Sequence, residues 1–68
     1  MKKSVAQQLR ELGMTEYQIQ YTRTCFKIPF RKVLRVEKFW DYKYGETFRF
    51  YMDRNDEIRE ISLPGWVR

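Results

Sequence analysis

The strongest constraint on this chain is an alternation of apolar side chains on either side of a lone glycine. Leu34, Val36, Trp40 and Tyr42 precede Gly45, and Phe48, Phe50 and Met52 follow it. A period of two in a stretch rich in β-branched and aromatic residues is the signature of half-buried strands. Loop length then decides whether the two runs share a face, because a slip of one residue turns a whole strand over. A three-residue loop of Lys43, Tyr44 and Gly45, with Gly45 in the left-handed region, pairs Tyr42 with Glu46 and Trp40 with Phe48. All the even-numbered apolar residues then line one side. A two-residue loop of Tyr44 and Gly45 sets Asp41 opposite Phe48, with a carboxylate beside the core, and is rejected. The next reversal, at Asn55 and Asp56, sets Phe50 against Ile61 and Phe48 against Leu63. Pro64 and Gly65 end that third strand.

Upstream the period changes to that of helices. Ser4 with Gln7 fits a capping box, and Val5, Leu9 and Leu12 recur at i, i+4 and i+7 before Gly13, which predicts a helix over about 5–12. Thr15 with Gln18 is a second box, and Met14 and Ile19 have the spacing of a hydrophobic staple. This second helix is expected to end near Phe26, because Pro29 disfavours helical backbone at Ile28. The expected fold is α+β, with two short N-terminal helices packed on a three-stranded antiparallel β-meander in a single small domain, residues 1–68. The alternative makes PFRKVLRVEKFWDYKYG a helix with Pro29 in its first turn and Gly45 closing it. That chain is winged-helix-like, three helices plus a C-terminal hairpin, with Arg31, Lys32, Arg35 and Lys38 on a recognition helix. Residues 30–44 decide between the two, and their β propensity favours the meander.

Composition removes most chemistry. The 68 residues include one cysteine, Cys25, and no histidine, so neither an internal disulfide nor the commonest metal ligand and general base is present. Aromatic residues, 18% of the chain, are the expected substitute, filling a small core with large side chains. Cys25 has no imidazole to activate it and is expected as a small buried apolar residue. Asp53, Asp56, Glu57 and Glu60 gather around a turn and a strand without the ligand spacing of a calcium loop. Gly13, Gly45 and Gly65 stand singly, so no phosphate-cradling loop exists. No enzyme, cofactor or metal is expected. Trp66 is expected to close one end of the core.

A single thiol points to a reducing, cytoplasmic setting. No apolar segment of signal-peptide length follows Lys2 and Lys3, and no apolar run is long enough to span a bilayer, so no membrane partner is expected. Met1 opens the chain without a tag or linker, as a complete small reading frame would.

The charge is where function is sought. The formal net charge is +5, yet residues 37–68 alternate in sign. The excess lies in RTCFKIPFRKVLR, residues 23–35, within an acid-free run from Tyr17 to Val36. Arg23, Lys27, Arg31, Lys32 and Arg35 are the candidate binding residues, with Lys2 and Lys3 adjoining. In structural terms the same charges wet a connector, and Arg23 complements a helix dipole. On the outer sheet face, Arg49 is expected to pair with Asp41 or Glu60 under Tyr51. The functional expectation is a small non-enzymatic regulatory protein whose basic surface engages nucleic acid or a nucleic-acid-handling complex. The alternative is a mobile-element-type inhibitor or adaptor that binds an acidic patch on a host protein. Either suits a monomer or a homodimer, the latter built on an edge strand or on Phe39, Tyr51 and Trp66.

Overall fold

The computed structural model describes residues 3–53 and 57–67. Among these, two helices, α1 (Val5–Glu11) and α2 (Glu16–Thr24), precede three strands, β1 (Val33–Asp41), β2 (Gly45–Met52) and β3 (Ile58–Ile61). The strands form one open antiparallel sheet in the order β1-β2-β3. This is the expected α+β meander. The winged-helix alternative is excluded, because residues 33–41 are strand. No described helix is long and apolar enough to cross a membrane.

The helices begin where the local chemistry requires. Ser4 Oγ accepts from the Gln7 N–H at 3.1 Å. Thr15 and Gln18 form a reciprocal box, with Gln18 N–H to Thr15 Oγ1 at 3.1 Å and Thr15 N–H to Gln18 Oε1 at 2.8 Å. Each bond satisfies a backbone donor that has no partner within the helix. Gly13, at φ 103°, supplies the left-handed turn between the helices, and Met14 and Ile19 both reach the core. Arg10 pairs with Glu16 across that turn, Nη2 to Oε2 at 3.2 Å.

Helix α2 stops at Thr24, two residues short of the expected Phe26. The hydroxyls of Thr22 and Thr24 bond back to the carbonyls of Gln18 and Gln20 at 2.9 and 2.8 Å, a pattern that weakens a helix. Lys27 then adopts φ 55°, and the reversal buries Ile28. Ile28 takes the core position expected of Cys25, which is exposed as the C-cap. A short 3-10 turn, Phe30–Lys32, leads into β1.

Both hairpin registers differ from expectation by two residues. The first turn is Tyr42, Lys43 and Tyr44, so Asp41 pairs with Gly45, Trp40 with Glu46 and Lys38 with Phe48. The cause is Asp41, whose Oδ1 accepts from the N–H groups of Lys43 and Tyr44 at 2.8 and 3.1 Å, a local turn that the aspartate side chain nucleates. Gly45 still closes it at φ 79°. In the second hairpin Phe48 faces Ile61 and Phe50 faces Arg59; the expected turn residues Asn55 and Asp56 lie outside the described residues. A shift of two preserves every face, so Phe48, Phe50 and Met52 point inward as expected.

Their neighbours at the far end of β1 do not. Lys38 Nζ donates to the Leu12 carbonyl at 2.9 Å, where α1 ends, so α1 does not extend over the sheet beyond it. Trp40 and Tyr42 are therefore 77% and 95% exposed instead of lining the core. At the near end an irregularity between Val33 and Arg35 turns Val33 inward and Leu34 out. Trp66 does not close the core either. A turn with Val67 N–H on the Pro64 carbonyl at 3.0 Å buries Val67, and Trp66 rests edge-on against Tyr21 with centroids 5.4 Å apart.

The core unites Val5 and Leu9 of α1, Met14, Ile19, Ile28 and Val33, the inward residues of β2, and Ile61. Phe50→Ala, at a fully buried ring, is expected to lose about 3–5 kcal/mol, whereas Trp40→Ala should stay within about 0.5 kcal/mol of the parent. Urea denaturation measures both. A second expectation concerns Glu16, whose carboxyl is held below the usual carboxylate range by its hydrogen bond from Arg10. A lowered folded-state value means that the pair stabilises the fold above the ordinary glutamate range and ceases to as pH falls through the lowered value. Arg10→Gln should return the Glu16 carboxyl, followed by carbon NMR, to ordinary titration.

Candidate functional site

Of the five basic candidates, the fold brings Arg23 and Arg31 together. Arg23 lies in the last turn of α2 with its guanidinium 4.7 Å from the centre of the Phe30 ring. Arg31 follows on the 3-10 turn. With Lys3, Ser4, Val5, Ala6, Phe30 and Val33 they line a shallow groove of about 320 Å³. Its floor is apolar and its rim cationic. Lys3 is already paired with Glu11, Nζ to Oε1 at 2.7 Å.

Lys27 and Lys32 are exposed beside this groove in sequence but do not line it. Lys32 contributes its carbonyl, which accepts from the Asp53 N–H at 2.7 Å and ties the connector to the end of β2. Among the described residues no carboxylate pairs with Arg23, Lys27, Arg31 or Lys32. Most of the described acids are engaged elsewhere: Glu11 with Lys3, Glu16 with Arg10, Glu37 with Arg35 and Arg49, Glu46 with Lys38, and Glu60 with Arg49; Asp53, bonded through its backbone to Lys32, and Glu57 are exposed and form no ion pair with the four cations. Asp41 is committed to its turn.

Arg35 stands apart. It lies on the face away from the helices, 3.3 Å from Glu37 and with its guanidinium 4.1 Å from the Tyr51 ring centre. There it joins a cross-strand lattice in which Tyr51 donates to Glu37 at 2.6 Å and Arg49 Nε meets Glu60 at 2.7 Å. Arg49 also covers the Phe39 ring at 4.6 Å. The expected pairing of Arg49 with Glu60 is present, and Glu37 takes the place of Asp41. Exposed pairs of this kind each contribute at most about 1 kcal/mol; their main effect here is to neutralise the outer face.

Two features escaped the sequence. Phe30 supports Arg23 from seven positions away, a contact that exists only because the chain reverses at Lys27; the signal was an aromatic residue directly after Pro29. The second is the exposed aromatic hairpin tip at Trp40, Tyr42 and Tyr44, hidden by the assumption that the helical layer runs the full length of β1. Among the described residues no cluster of three or more histidine, cysteine, aspartate or glutamate side chains is placed to hold a metal ion. No protein-family model, curated protein or solved structure matches the chain.

Lys27 is the one non-glycine residue at positive φ among the described residues, a conformation that costs an L-residue about 1–2 kcal/mol. Glycine is free of that strain but loses more chain entropy on folding. Lys27→Gly should therefore raise stability by up to about 1 kcal/mol in thermal denaturation. A drop of similar size would mean that the lysine side chain holds the connector in place.

Proposed function

We propose that this is a non-enzymatic, cytoplasmic regulatory protein that binds nucleic acid through the basic groove between the start of α1 and the end of α2. The observation that carries the reading is the uncompensated set Arg23, Lys27, Arg31 and Lys32, with Arg23 held in place on Phe30. Elsewhere in the described residues most cations meet an acid, as Lys3, Arg10, Arg35, Lys38 and Arg49 do; these four do not. A cluster of exposed cations with no internal acid is an attractive site for phosphates, which give affinity and position without reading sequence. Sequence selectivity is not assigned to any residue. The protein acts in this reading as a monomer or a homodimer.

A second reading, an inhibitor or adaptor that docks on an acidic or nucleic-acid-handling host protein, draws on the ring cluster at the other side of α2. Tyr17 and Trp66 are exposed there and flank Tyr21, and Tyr and Trp are enriched at protein interfaces.

Salt dependence tests the first reading. Five phosphate contacts, with Arg35 included, give a log–log slope of about −4.5 on duplex DNA, and four, without it, about −3.6. The smaller value is expected, because Arg35 is occupied by Glu37 and Tyr51. Arg23→Glu combined with Arg31→Glu should abolish binding in a gel shift at low salt, and Arg35→Gln should leave it unchanged. Retention of affinity by the double reversal would remove the groove from the reading, and capture of one acidic protein without nucleic acid binding would favour the adaptor.

A further inference from the structure

The rings of this protein are sorted by type. All five phenylalanines are buried or half-buried, while Trp40, Tyr42 and Tyr44 crowd the exposed β1–β2 turn, the last of them 64% exposed. We propose that this aromatic tip stacks on unpaired bases of a single-stranded nucleic acid whose phosphates reach the basic groove. The inference rests on the groove being a nucleic-acid site and specifies which form of nucleic acid it takes.

The tip is set up for stacking before any ligand arrives. Asp41 fixes the turn through two backbone N–H groups, and the Trp40 indole lies across Gly45, where an added Cβ would come within 3.5 Å of its Cη2. The six-membered ring of the indole thus lies against the turn at Gly45 while most of the side chain stays exposed. Little ordering remains to be done on binding, which favours affinity. The local charge is balanced, so the positive attraction for a polyanion comes from the groove and the tip adds base contacts. Lys43 holds its ammonium 5.2 Å from the Tyr44 ring centre and offsets Asp41, and Glu46 lies 4.0 Å from Lys38.

Other surfaces suit this ligand less well. Phe39 and Tyr51 on the outer sheet face already carry guanidinium groups over their rings. A duplex hides its base faces, and major-groove reading needs an element carrying cations. Neither helix presents one. Helix α1 packs along β1, with Gln8 Oε1 accepting from the Val36 N–H at 3.2 Å, and the exposed positions of α2 set Arg23 against Glu16 among Tyr17, Gln20 and Thr24. The distance fits a short single strand. The groove lies at the Val33 end of β1 and the rings at the Asp41 end, about 26 Å apart at roughly 3.3 Å per residue. Small single-strand-binding folds cover about 4–16 nucleotides.

The test uses the full chain with a homopyrimidine DNA of about 16 nucleotides, the matching duplex, and inorganic polyphosphate as a polyanion without bases. Trp66→Phe leaves Trp40 as the sole indole, and its emission should be quenched in step with oligonucleotide binding followed by anisotropy. Trp40→Ala with Tyr42→Ala should weaken single-strand binding about tenfold or more, with little change for duplex or polyphosphate; Trp40→Phe, which keeps a ring, should retain most of the affinity. Both residues are exposed, and circular dichroism verifies that the variants fold. Unchanged single-strand affinity in the double variant, or unquenched Trp40 at saturation, overturns the inference while leaving the groove intact. Absence of all binding at low salt overturns both. Conversion of a dimer to a monomer by Trp40→Ala, with oligonucleotide affinity preserved, overturns it in favour of a contact between copies.

Discussion

Phe48 and Phe50, at successive inward positions of β2, are what the rest of the molecule packs on. Among the described residues β2 is the strand bonded on both sides, and both rings are essentially sealed from solvent. Each ring removes about 150–250 Å² from water, a large contribution in a chain that has no disulfide to restrain its unfolded state. The helices depend on this floor. At 7 and 9 residues they are shorter than the roughly 12–15 residues at which isolated helices become even marginal. Caps at Ser4 and Thr15 place their starts, and burial of Leu9 and Ile19 against the phenylalanines makes them persist.

The elements, their order and, apart from the start of β1, the facing of the strands could be read from the residues, because caps and alternation are local. Register could not. A displacement of two residues leaves every side chain on its original face, so hydrophobic patterning is blind to it. The deciding information was in Asp41, a polar residue whose turn chemistry outweighed the preference for pairing Trp40 with Phe48. The choice between neighbouring apolar residues was equally hidden: Ile28 over Cys25 and Val67 over Trp66 follow from backbone reversals at Lys27 and after Pro64. For the basic segment, Arg35 is an odd-numbered position of β1, and period-two alternation implies the outer face, where it lies beside Glu37 and Tyr51. The contact of Arg23 with Phe30, and the groove that brings Arg23 and Arg31 together, are tertiary and have no counterpart in the linear pattern.

These details give β1 two unlike ends. At Val33 it meets a cation-rimmed hollow with an apolar floor, and at Asp41 it overruns the helical layer and lifts its rings clear of the core. The sheet between them is electrostatically quiet on its outer side, where Glu37, Arg49 and Glu60 satisfy one another. Unbalanced charge thus gathers near one end of β1 and the hairpin-tip rings at the other, and neither is needed to hold the core together.

The extra residue at Leu34 and the Gln8 amide bond to Val36 have one further effect, on the fate of the chain at high concentration. A protein so rich in aromatic and β-branched residues is at risk of stacking edge to edge into fibrils. Along β1 the kink breaks the flat template and Gln8 occupies a hydrogen-bonding group that an incoming strand would need. The opposite margin, β3, is 4 residues long and carries Arg59 and Glu60. Aggregation resistance is therefore built into the sheet's two borders, and loosening α1 would expose the more vulnerable of them.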